Sequence, residues 1–145
     1  MRFDRLKSGD DIKAVLKEAF DMELPVSGGW GYEKDDAVMI EKGSLPTSQV
    51  QYIFATMRAN LQMNMTQPKE DRFGGITVEK SSKESIDGYE KIVYIIKAIK
   101  EDIYEKLIQE YKEGYGKDSF DMEAHFAKRT ENTVVLKEEY WFKLK

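Results

Sequence analysis

Asp87-Gly88 constrains this chain more than any other feature of its sequence. Gly tolerates the positive φ of a type I′ turn, and an Asp-Gly pair between two β-prone runs is the strongest short hairpin signal. Folding about it pairs Ile86 with Tyr89 and Glu84 with Lys91, an opposite-charge pair across the strands. Carried further in the same register, Ile76 meets Ile99, and Ile76-Thr77-Val78-Glu79 reads as the far end of the first strand. Ser81-Ser82-Lys83 is polar on both faces and is a candidate bulge. The second strand, about 89–98, is apolar on both faces, which predicts a central place in the sheet. One long helix over 89–113 is the competing reading. It ranks second because Ile92-Val93-Tyr94-Ile95-Ile96 is rich in β-branched residues, which are stiff in helices.

Two helices flank this hairpin. Ile12, Val15, Leu16, Ala19 and Phe20 recur at i, i+3, i+4, i+7 and i+8, predicting an amphipathic helix over about 10–21. Ser8 and Asp10 are its candidate N-caps, Asp10 and Asp11 suit a helix start, and Leu24-Pro25 marks the exit. Tyr104, Leu107, Ile108 and Tyr111 form the stripe of a second helix, about 101–113, which Gly114 stops. Ala37–Ile40 reads as a short strand, Gly43-Ser44-Leu45-Pro46 as a turn and 66–71 as a polar loop.

Two segments carry ambiguous periods. Val50, Ile53, Phe54, Met57 and Leu61 fit a helix face, whereas Val50, Tyr52, Phe54 and Thr56 alternate as in a strand. The β-branched and aromatic residues crowding the first half of 48–65 favour strand. Near the C-terminus, Phe120, Met122, Ala124 and Phe126 alternate, as do Val134, Leu136, Tyr140, Phe142 and Leu144, interrupted by Glu138. A second hairpin with 119–127 as its first strand, Phe126 opposite Val134 and Glu123 opposite Lys137, keeps both apolar sets on one face. Helix is the alternative for 119–127. Together these elements predict one α+β domain spanning 1–145. It holds an antiparallel sheet of about five or more hairpin-connected strands, packed with the N-terminal helix and the second helix.

Composition narrows the chemistry. The chain has 145 residues and no cysteine, so disulfides, thiolate catalysis and Cys-based metal centres are excluded. That suits a reducing, cytoplasmic compartment. The N-terminus, Met1-Arg2-Phe3-Asp4-Arg5-Leu6-Lys7, lacks the apolar run of a secretory signal. No stretch approaches the roughly 18 apolar residues of a membrane span, so no membrane partner is expected. Lys and Arg number 23 against 27 Asp and Glu and are spread along the chain, which argues against a nucleic-acid partner.

Three constellations are candidates for function. The Gly-rich loop Ser27-Gly28-Gly29-Trp30-Gly31-Tyr32 brings two aromatics to a backbone that a ligand can approach closely, although it matches neither a dinucleotide fingerprint nor a P-loop. Its structural reading is a loop whose aromatics cap the core. Asp121, Glu123 and His125 share one face if their segment is a strand. Neighbouring ligands then sit about 7 Å apart at Cα, so two of them reach a common metal and Glu139 is the third candidate. One histidine in the whole chain is thin provision, and a solvated strand face is the plainer reading. Glu33, Asp35, Asp36 and Glu41 form a carboxylate cluster, but Asp35-Asp36 before a strand is turn chemistry first.

No nucleophile motif or metal-ligand spacing stands out, and no cofactor is expected. The sequence therefore points to a non-catalytic binding or protein-interaction domain. Its expected surface is Trp30, Tyr32, the acidic turn at Asp35 and Asp36, and Trp141, whose strand parity sets it opposite Tyr140 and Phe142. The alternative is a small enzyme or a ligand- or metal-binding protein, with its site between loop 27–32 and the face holding Glu123 and His125. The expected partner is another protein or a second copy, the latter through a strand edge of the C-terminal hairpin.

Overall fold

Asp11 caps the first helix, α1 (Ile12–Phe20), by accepting from the Ala14 N–H, and Asp21 closes it in the left-handed conformation. The N-cap falls one residue beyond Asp10, whose carboxylate instead accepts from the Trp30 indole. The computed structural model describes residues 5–43, 45–65, 67–68, 71–117 and 120–144. Parts of five sequence readings lie outside that set: residues 1–4 of the N-terminus, Ser44 of the turn, Thr66, Lys69 and Glu70 of the polar loop, Ser119 of the C-terminal segment and the last residue, 145, of the single domain.

Strands β1 (Val26–Gly28) and β2 (Val38–Ile40) form a short antiparallel pair around a single 3₁₀ turn at Lys34–Asp36. Helix α2 (Thr47–Asn60) follows and widens into a π-type turn over Leu61–Met65. The strand reading of 48–65 is thereby corrected. Val50, Phe54, Met57 and Leu61 lie buried along one row, while Tyr52, which a strand would place beside Val50 and Phe54, is exposed. Tertiary burial of a helical stripe outweighs the weak β preference of the same residues.

β3 (Phe73–Ile86) and β4 (Tyr89–Lys100) make the hairpin that Asp87-Gly88 predicts, with φ of 50° and 83° at its two turn residues. Ile86 faces Tyr89, Glu84 faces Lys91, and the register shifts at Ser81. A second shift between Gly74 and Thr77 sets Gly74 opposite Ile99, so Ile76 does not meet Ile99 as the sequence suggested. Its physical reason is α3 (Glu101–Gly114), whose Tyr104 ring occupies the space a side chain on Gly74 or Gly75 would fill.

The segment expected to open the C-terminal hairpin is a helix, α4 (Met122–Glu131), not a strand. Asp121 caps it, accepting from the Ala124 N–H at 3.0 Å, and Glu123 in its first turn and Lys128 and Arg129 in its last complement the helix dipole. The pairings Phe126–Val134 and Glu123–Lys137 accordingly do not form. In β5 (Thr133–Leu144), Val134 faces Ala98 and Lys137 faces Ile95. The strand order is β1-β2-β5-β4-β3, antiparallel except for the β2–β5 pair, which is an α+β architecture. Phe54 of α2 stacks on Trp30 and meets Tyr140 and Phe142 edge-on, which defines the main core on one face of the sheet. No helix among the described residues is long and apolar enough to cross a membrane.

Candidate functional site

The Gly-rich loop turns its aromatics inward. Trp30 is 2% exposed and Tyr32 7%. The indole N–H of Trp30 points at the Lys7 carbonyl (3.2 Å) and at Asp10 Oδ2 (3.3 Å), and the Tyr32 hydroxyl accepts from the Leu6 N–H at 2.9 Å. Gly31 holds φ 83°, and a Cβ there would come within 2.9 Å of the Trp141 carbonyl oxygen. As placed, this loop presents none of the aromatic surface expected of it.

Its inward partner is Arg58, a fully buried arginine on α2. The guanidinium lies between two tyrosine rings, 3.9 Å from the centroid of Tyr32 and 3.6 Å from that of Tyr140. Nη1 donates to the Trp30 carbonyl at 3.1 Å and Nη2 to the Glu139 carbonyl at 3.2 Å, with Glu138 Oε2 at 3.5 Å from Nη2. One cation therefore ties helix, loop and central strand together. Burial pushes up the pKa of both hydroxyls, that of Tyr140 to about 12, although the adjacent guanidinium opposes the shift in each. Arg58 carried no recognisable signal in the sequence, because a lone arginine on a helix is ordinarily solvated.

The acidic turn is local chemistry. Asp36 accepts from the Glu33 N–H at 2.7 Å, Glu33 pairs with Arg5, Lys34 pairs with Asp87, and Asp35 is exposed. Glu41 lies just beyond β2, where its N–H donates to the Pro25 carbonyl. Trp141 keeps its expected parity, half-buried on the face opposite Tyr140 and Phe142, with Lys91 Nζ 5.8 Å from its ring centroid.

Glu123 and His125 lie on α4, where positions two apart diverge. Glu123 is exposed, while His125 is 2% exposed and packs among Tyr111, Phe120 and Phe126. His125 Nδ1 lies 3.3 Å from Glu110 Oε1, and Lys128 Nζ lies 3.1 Å from Glu110 Oε2. The Lys128 and then the His125 contact hold the Glu110 carboxyl below its usual range. Among the described residues no three His, Asp or Glu side chains gather as a metal site would need. Trp30 and Tyr32 pack by the N-terminal segment and Phe54, whereas His125 packs on Glu110 and Tyr111 of α3.

A concave, largely apolar feature lies between α3 and α4. A groove of about 450 Å³ is lined by Tyr104, Leu107, Ile108, Tyr111, His125 and Phe126, with Lys112 and Arg129 at its rim. Of the α3 stripe legible in the sequence, only Leu107 is buried; Tyr104, Ile108 and Tyr111 remain half-exposed. Phe126, Tyr115 and Met122 on the same hairpin are exposed by 47%, 67% and 38%. Arg129 lies 5.9 Å from the Tyr104 ring centroid. Neither Arg129 nor Lys112 has an acidic partner among the described residues. Such an arrangement takes up apolar side chains and meets negative charge beside them. No family model, curated protein or solved structure matches this chain.

Proposed function

We propose that this protein is a non-catalytic interaction domain whose α3–α4 hairpin receives an amphipathic helix of a partner protein. The occupant carries apolar anchors at helical spacing and acidic residues flanking them. The observation that carries the reading is a half-open aromatic groove lined also by two cations, Lys112 and Arg129, that have no acidic partner among the described residues. A helix, rather than an enclosed small molecule, suits a cleft whose apolar character continues outward onto Phe126, Tyr115 and Met122.

Selection of helical peptides from a random displayed library against the whole protein tests this. Enriched sequences should combine apolar residues at i, i+3 or i+4 and i+7 with acidic neighbours. Their binding should fall at least tenfold on Phe126→Ser and on Arg129→Glu. Enriched peptides that are basic, or that bind both variants as well as the parent protein, would sink the proposal.

A further inference from the structure

β5 is paired unequally on its two sides. Towards β4 its ladder runs without a break from Thr133 to Lys143. On the other side, β2 covers only Phe142–Leu144. Two substitutes extend that cover. The Trp141 N–H donates to the Gly31 carbonyl at 2.8 Å, and the Glu139 carbonyl accepts from Arg58.

These contacts fix which backbone groups face away from β4. In an antiparallel ladder, alternate residues direct both N–H and C=O to one neighbour. Trp141 and Glu139 point away from β4, so Thr133, Val135 and Lys137 do too. Among the described residues no backbone bond reaches that side of these three, and no strand pairs with them there. Val135, in the middle of the gap, is 58% exposed. The sheet's outer edge, β3, is defended by contrast, with two register shifts and the charged side chains of Lys80, Lys83 and Glu84.

We infer that this open half-edge pairs with a second copy of the chain, antiparallel and symmetric about Val135. The free groups are themselves symmetric about that residue, and a two-fold interface must be self-complementary. In this register Val135 meets its own counterpart, Thr133 meets Lys137 and Val134 meets Leu136. No like charges oppose one another. The neighbouring register centred on Lys137 sets lysine against lysine, and the one centred on Leu136 needs the Glu139 carbonyl, which Arg58 already holds. The β4 ladder uses the even-numbered residues of β5, so this pairing costs the monomer none of its sheet bonds.

Sedimentation velocity on the whole protein, from low micromolar to near-millimolar concentration, should find a reversible monomer–dimer equilibrium. Val135→Pro removes only a donor that faces the gap, and Val135→Lys sets two cations opposite each other. Each should weaken association at least tenfold, and the second serves if the first fails to fold. Hydrogen exchange should slow at Thr133, Val135 and Lys137 as concentration rises. A chain that stays monomeric throughout overturns the inference, even if an added strand-forming peptide protects these amides. So does a dimer that neither variant weakens, or one whose concentration-dependent protection lies elsewhere.

Discussion

The surroundings of Arg58 and the α3–α4 hairpin are built from similar residues to opposite effect. Both contain tyrosines, a phenylalanine and an arginine over a tyrosine ring. Around Arg58 every large side chain is covered: Trp30, Phe54, Tyr140 and Phe142 are each 2% exposed or less. Among the described residues of the hairpin only Leu107 and His125 are buried, and three large apolar side chains stand in solvent. The difference is one of layering. α2 lies over the sheet with the Gly-rich loop beside it, whereas α3 rests on β3 through Tyr104 and meets α4 across an open groove. The first region is sealed from water, and the second leaves apolar surface exposed.

Mutations should separate the two. Arg58→Ala is expected to cost about 3–5 kcal/mol, because it leaves the Trp30 and Glu139 carbonyls without their donor and opens a cavity between two tyrosine rings. A urea titration followed by tryptophan fluorescence measures that loss, and an unchanged midpoint would break the contrast. Alkaline titration gives the next largest effect. Tyr140 keeps its proton in the fold up to about 12, whereas an unfolded tyrosine releases it near roughly 10. Stability is therefore intact below the unfolded value and falls between the two, by about 2–3 kcal/mol for this one group. Tyr140→Phe should flatten the decline in that window in pH-dependent melts.

The hairpin should respond weakly. Asp121→Ala removes the cap of α4 and should cost about 1 kcal/mol, read as a small shift in the melting temperature. Phe126→Ser should change stability by no more than about 0.5 kcal/mol, since the ring is nearly half in water, while removing the proposed partner contact. A large loss of stability at Phe126 would place that ring in the core and erase the distinction.

What the sequence disclosed follows from how local each cause was. Asp87-Gly88 fixed the β3–β4 register, because a two-residue turn leaves little freedom. The bulge at Ser81 showed in its polar neighbours. The one near Gly74 did not, since its cause is Tyr104, about thirty residues away. In α4 the capping Asp121, the early Glu123 and the late Lys128-Arg129 were all present, but the alternation of Phe120, Met122, Ala124 and Phe126 imitated a strand. The α3 stripe was legible, and its incomplete covering was not, because covering depends on where α4 packs. Trp30 and Tyr32 carried both a core-capping and a surface reading, and only the packing around Arg58 shows that the first holds.

The position of β5 bears on the order of assembly. It follows the other four strands in sequence yet occupies the middle of the sheet, joining a β1–β2 pair to a β3–β4 hairpin that are not neighbours in it. The parallel contact of Val38 with Phe142 closes a loop of about a hundred residues, an entropic cost that sheets formed from adjacent hairpins avoid. During synthesis the hairpin at Asp87-Gly88 can form early, while the two halves stay unjoined until residues 133–144 clear the ribosome. Until then the flank of β4 that β5 covers stays unpaired, and it is open to misassociation.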